Sequence, residues 1–112
     1  MKPAGAGAEA ALATVEKVNL TALQETETAL TQYARELDRR AALKRARDEG
    51  AKAAKLARLR NEAGADSLLA VLVAERQLAS LEAQLAQSDA QVTTNQIALF
   101  KALGGGWETA GE

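Results

Sequence analysis

The 112-residue chain has no cysteine and no histidine. The first absence excludes disulfides, thiolate metal sites and iron–sulfur clusters. The second removes the usual imidazole base and the commonest metal ligand. Proline occurs once, at Pro3, and aromatics three times, at Tyr33, Phe100 and Trp107. A compact core draws much of its buried area from aromatic and branched side chains, so a thick single core is not expected. No apolar run approaches the roughly 20 residues that a spanning helix needs, so no direct membrane span is expected. The formal net charge of −1 makes no global case for nucleic acid, and none is expected as a partner. There is no nucleophile–base pair, no phosphate-cradling glycine loop and no metal-ligand spacing. Glu25 and Glu27 do not form a catalytic pair, because residues two apart on a helix point in nearly opposite directions. The chain therefore reads as a non-enzyme without cofactor or metal.

What is present is mostly alanine and leucine, 27 and 16 residues respectively. With Glu, Lys, Arg and Gln they make up a set of strong helix formers. Residues 1–11, with Pro3 and two glycines, read as a flexible lead-in. A first helix is predicted over 12–62, with Gly50 as the candidate place for a bend or slip. Leu20, Leu23, Leu30, Ala34, Leu37 and Ala41 recur at helical spacing and are its expected packing face. Leu56 and Leu59 resume the pattern. Residues 63–66 form the tip. Gly64 suits a left-handed C′ position, and Asp66 or Ser67 can cap the next helix, which is the expected job of Asp66.

The second helix is predicted over 67–103. Its heptad stripe is Val71, Ala74, Leu78, Leu81, Leu85, Ser88, Val92, Asn95, Leu99 and Ala102. Leu78, Leu81, Leu85, Val92 and Leu99 are the helix-packing residues, whereas Ser88 and Asn95 are expected at a wetter part of the seam. Gly104, Gly105 and Gly106 read as a stop within a 104–112 tail, and Trp107 as folding back over the open end or, alternatively, as a partner anchor. Two long helices joined by so short a loop must lie antiparallel. The fold class is thus all-α, a long antiparallel two-helix hairpin of coiled-coil type. Too little surface is buried for comfort in isolation, so packing against further helices is expected.

Charge is unevenly spread. Residues 35–60 hold ten basic and four acidic side chains, and residues 61–112 hold seven acidic and two basic. In a hairpin these runs lie side by side, which reads as mutual neutralisation rather than a nucleic-acid surface. On composition and periodicity alone, a self-associating soluble coiled-coil module accounts for the chain.

Three stretches point further. Leu99-Phe100-Lys101-Ala102-Leu103-Gly104-Gly105-Gly106-Trp107-Glu108 resembles the "LYKALGGGW" ending of TolC-like outer-membrane efflux channels of the OprM/NodT branch. Residues 20–30, LTALQETETAL, resemble that family's "LtALqEVEnAL", and residues 61–76, NEAGADSLLAVLVAER, its "yrAGxxdfLxVLdAqR". All three keep the family's order over residues 15–108, and LGGGW (Leu103 to Trp107) is the most specific.

The resemblance implies a C-terminal helical hairpin in the wall of a periplasmic α-barrel, within a channel of three protomers. It implies own copies, a periplasmic adaptor protein and an inner-membrane pump as partners. Ala63, Gly64, Ala65, Asp66, Ser67 and Leu68 would be the adaptor-docking tip. Ala70 and Val73 match tunnel-gate positions where relatives often carry aspartates, and neither is acidic here. The first repeat, the membrane strands, a lipid-attachment cysteine and a signal peptide have no counterpart in these residues. The expectation is outer membrane and periplasm for the parent protein, and cytoplasm for a product made from Met1.

Overall fold

In the computed structural model the backbone is described for residues 2–111 and the side chains for residues 9–104. Two helices account for it, α1 at Lys2–Glu62 and α2 at Leu68–Gly111. Both run beyond the 12–62 and 67–103 read from the sequence. Proline is tolerated in a first helical turn, where its missing N–H would have no partner anyway. Glycine weakens a helix by about 1 kcal/mol per residue without forbidding it. The side chain of Trp107 lies outside the described residues, and so does its expected fold-back.

The chain divides into two compact units, Ala34–Thr94 and Met1–Tyr33 with Asn95–Glu112. In the first, α1 turns at residues 63–67 and α2 returns antiparallel along it. Its α2 seam residues are Val71, Ala74, Leu78, Leu81, Leu85, Ser88 and Val92, all buried or half-buried. The facing side of α1 is lined mainly by Leu43, Ala46, Gly50, Ala51, Ala54 and Ala57, also buried or half-buried. Large side chains on α2 thus meet small ones on α1. Each half-buried leucine contributes roughly 1 kcal/mol at the usual return on apolar area.

Gly50 shows how close the approach is. The helix continues through it without interruption. A Cβ added there would meet Leu81 Cδ1 at 3.0 Å and the Leu78 backbone Cα at 3.9 Å. The glycine is a packing residue that makes room for α2.

The expected packing face of α1 is not the seam. Leu23 and Leu30 are exposed, at 65% and 53%, and so are Leu20, Ala34, Ala41, Leu56 and Leu59. Leu37, at 37%, is only slightly more covered. In the second unit the α1 seam is Ala22, Thr26, Ala29 and Tyr33, against Asn95, Leu99 and Ala102 of α2. Leu23 and Leu30 each follow a seam residue by one position. One residue is about 100° of helix rotation, so the leucines stand on a flank. Size complementarity decided which face turns inward: α2 presents the leucines, so α1 must present alanine.

One polar group sits deep in the seam. Ser88 is 0% exposed, and its hydroxyl donates to Glu36 Oε1 at 2.9 Å. The same carboxylate oxygen accepts from Arg39 Nη1 at 3.1 Å. This corrects the wetter setting expected for Ser88: its short side chain fits among close backbones, and its one donor is satisfied. Asn95 is half-buried, with Nδ2 donating to the Gln32 carbonyl at 3.3 Å.

Two outcomes are expected. Gly50→Leu lowers stability by roughly 1–3 kcal/mol through overpacking, although leucine favours the helix. Gly50→Ala stays within about 1 kcal/mol of the parent, because the Leu81 methyl can swing aside. Thermal unfolding by circular dichroism reads both, and a Gly50→Leu chain as stable as the parent would contradict the close approach. Ser88→Ala removes a hydrogen bond to a charged group and is expected to cost about 1.5–3 kcal/mol in a denaturant titration. A smaller loss would show that Arg39 alone satisfies Glu36.

Candidate functional site: the tip and the uncovered flanks

The tip is built by local backbone chemistry. Gly64 has φ of +77°, the one positive φ among the described residues. Its N–H donates to the Asn61 carbonyl at 3.0 Å, and the Ala65 N–H reaches back to the Arg60 carbonyl at 2.8 Å. Those two bonds define a Schellman ending, which satisfies carbonyls that a helix terminus leaves free. The Asp66 N–H shares the Arg60 carbonyl at 3.3 Å, and Asn61 Nδ2 donates to the Asp66 carbonyl at 2.9 Å. Nothing would lie within 4 Å of a Cβ at Gly64, so the demand there is conformational only.

Ser67, not Asp66, caps α2. The Ala70 N–H donates to the Ser67 hydroxyl at 3.4 Å, three residues into the helix as an N-cap requires. The Asp66 carboxylate instead pairs with Arg60 Nε at 2.9 Å. Arg60 is the last basic residue of α1, so its charge also suits the helix C-terminus. Arg58 Nε stands 3.8 Å from Glu75 and Arg40 pairs with Asp89, tying α1 to α2 along one flank. Such exposed pairs contribute roughly 0–1 kcal/mol each, so they set register more than stability.

Around this ion-paired turn the surface is small or apolar. Ala63, Gly64, Ala65, Ser67 and Leu68 are exposed, and Asp66 is half-buried. Leu69 is 68% exposed, with Leu72 and Val73 close to half. Ala70, by contrast, is half-buried. Isolated surface leucines need no explanation, but a run of them beside a turn makes this a candidate contact surface. In the seam the Ser88 hydroxyl meets the Glu36 carboxylate, but Ser88 is fully buried and open to no substrate. Among the described residues no cluster of three or more Asp, Glu, Cys or His could hold a metal. No helix among them is long and apolar enough to cross a membrane.

The unit containing the chain ends has its own flanks. Ile97, Phe100 and Leu103 of α2 are at least half exposed, as are Leu20, Leu23 and Leu30 of α1. An open groove on this unit is lined by Thr21, Gln24, Glu25, Thr28, Gln32 and Lys101, among others. Ala29, Ala98 and Ala102 complete it, so its lining is mixed, with more apolar than polar surface.

The hairpin thus has a capped, small-residue tip and leucines turned outward. Comparison with known proteins gives it a family. The family model for outer membrane efflux proteins matches residues 2–105, and the chain belongs to that family. The toluene efflux pump outer membrane protein TtgF of Pseudomonas putida is 43% identical over 54 residues, 48% of this chain and 11% of that protein. Nodulation protein T of Rhizobium leguminosarum bv. viciae is 38% identical over 88 residues, 79% of this chain and 18% of that protein. Among solved structures, the outer-membrane channel OprN matches with a TM-score of 0.74 and 35% identity, over 95% of this chain and 24% of that one. The chain thus spans less than a quarter of the length of these relatives.

Reading the residues alone missed the Arg60–Asp66 pair and the buried Ser88–Glu36 pair. The signal for the first was a basic residue and an acid straddling a glycine turn. For the second it was one serine in a leucine stripe, and nothing in the spacing marked Glu36 as its partner. Gly64→Ala is expected to cost about 1–2 kcal/mol, the penalty of a side chain in the left-handed region, and Gly64→Asn less. Urea unfolding of the three chains checks the order; equal stabilities would show that the turn relaxes to another form.

Proposed function

We propose that this segment forms part of the periplasmic tunnel wall of an outer-membrane efflux channel, with residues 63–68 as the tip that docks a periplasmic adaptor. The role is passive: the hairpin gives the wall its stiffness and performs no reaction. The observation that carries this reading is the reversed leucine distribution. The hairpin closes its own seam with alanine and glycine on one side, and leaves sixteen large apolar side chains exposed among the described residues. Leaving so much apolar area in water wastes roughly 25 cal/mol for each Å². Neighbouring helices of the same channel, in three protomers, supply the cover. Family membership and the likeness to the OprN channel support the same assignment.

At the tip, Ala63, Gly64 and Ala65 offer little bulk, so a second hairpin can approach the backbone closely. The adaptor, with an inner-membrane pump behind it, is the partner of this surface. Ala70 and Val73, at the positions that resemblance assigns to the tunnel gate, present a methyl and an isopropyl group. A gate at those positions narrows by bulk, and attracts cations less than an aspartate ring does. The substrates are small solutes of the kind that the relatives' names indicate, toluene among them.

Docking is tested by co-purifying the adaptor with the whole channel that carries this segment. Gly64→Pro cannot adopt the positive φ and is expected to abolish capture. Ala65→Arg leaves the turn intact while adding bulk, and is expected to reduce capture at least tenfold. Undiminished capture by the Ala65→Arg channel would remove the tip from the docking surface.

A further inference from the structure

The exposed apolar side chains of the unit Ala34–Thr94 are gathered at one end. Leu37 apart, the large ones are Leu56, Leu59, Leu68, Leu69, Leu72 and Val73, all close to the turn. Every other leucine and valine of the unit is buried or half-buried. Val73 is the gate residue of the reading above, and five leucines remain.

These leucines lie on both outer sides of the hairpin. Leu56 precedes the seam residue Ala57 by one position, and Leu59 follows it by two. At 100° per residue both stand on the side of α1 turned away from α2. Leu69 and Leu72 are placed likewise about Val71, on the outer side of α2. Each helix thus carries, next to the turn, a pair of leucines three residues apart, which makes them surface neighbours. Leu68 adds a fifth at the start of α2. A neighbouring helix laid along α1 does not account for its pair. That side continues from Leu56 into Lys55, Lys52, Asp48 and Arg45, all exposed. On α2, Arg76 and then alanines follow Leu72. Four of the five charged residues from 58 to 75 pair with one another, Arg60 with Asp66 and Arg58 with Glu75; Glu62 is the fifth. An end that is apolar on two sides and pairs its own ions suits an apolar partner that straddles it.

We propose that the docking surface extends beyond residues 63–68 to a collar of Leu56, Leu59, Leu68, Leu69 and Leu72, and that the adaptor meets it with an apolar socket that grips both helices. The collar reaches back about 9 Å along α1, six residues at roughly 1.5 Å each. These five leucines are the part of the exposed apolar surface that the adaptor covers, rather than neighbouring helices. Docking is driven by removing apolar surface from water. Salt screens exposed charges and leaves such binding largely intact. The inference rests on the tip-docking reading and adds the extent of the surface and the chemistry of its partner.

The test captures the purified adaptor of the same export system on the whole channel, and sizes the channel by gel filtration in detergent. Two double variants are compared with the parent, Leu56→Gln with Leu59→Gln and Leu69→Gln with Leu72→Gln. Glutamine is a good helix former, so the helices are kept. The expected result is channels of the parent's size, with capture reduced at least tenfold by either pair. Capture by the parent is expected to stay within threefold between about 0.1 and 1 M salt. A smaller reduction by the leucine variants, with Ala65→Arg still blocking capture, overturns the collar and leaves the docking reading standing. Channels that no longer assemble would show that neighbouring helices cover these leucines, which overturns the collar as well. A steep fall of parent capture with salt overturns its apolar chemistry. Undiminished capture by the Ala65→Arg channel removes the docking reading and the collar with it.

Discussion

The close approach of two helix backbones near Gly50 governs the rest of this molecule. Leu78 and Leu81 of α2 press onto a face of α1 that has no room for a large side chain at residue 50. Alanines at 46, 51, 54 and 57 continue that face. Helices meeting through small residues lie nearer than those separated by paired leucines. Less apolar area is buried in exchange, because alanine has little to bury. The remaining leucines are then free for other surfaces, and α1 turns them outward.

Polar contacts refine this arrangement without dominating it. Ser88 reaches Glu36 inside the seam, where a slip by one residue would strand both groups away from their partners. Arg58, Arg40 and Arg60 hold acids along one flank and at the tip, in positions too exposed for large gains. Their placement still divides the surface. One side of α2 carries its acids, and the other has none over the length of the Ala34–Thr94 unit. A membrane-crossing role for these helices finds no support in their composition, since no described helix is sufficiently long and apolar.

The hairpin, its turn and the α2 stripe could be read from residue spacing because each depends on local information. A heptad of Val and Leu on α2 declares its own face, and an Ala-Gly-Ala turn declares a reversal. The α1 face could not be read that way. Periodicity counts apolar residues and rewards leucine, whereas the seam selected alanine, one residue away, because the partner had already brought the bulk. The fit of Gly50 against Leu81 was invisible for the same reason, since spacing does not show what the partner helix brings to it. The cap went to Ser67 rather than Asp66 because Arg60 competes for the carboxylate across the turn, a contact that spacing alone does not rank. The resemblance in residues 15–108 carried the family assignment, which the α-helical pattern by itself could not.

The turn at Gly64 has a consequence for how the chain reaches its fold. Its backbone hydrogen bonds join residues no more than six positions apart, Arg60 and Asp66 at the widest. It can therefore close on its own, ahead of any contact between distant parts of the chain. Once it is closed, the arms grow together from the tip, each new pair enclosing only a few more free residues than the last. Contacts as remote in sequence as Glu36 with Ser88 then form without the entropy cost of closing a loop of that length in one step. A turn that closes first leaves a shorter loop to be closed by every later contact along the arms.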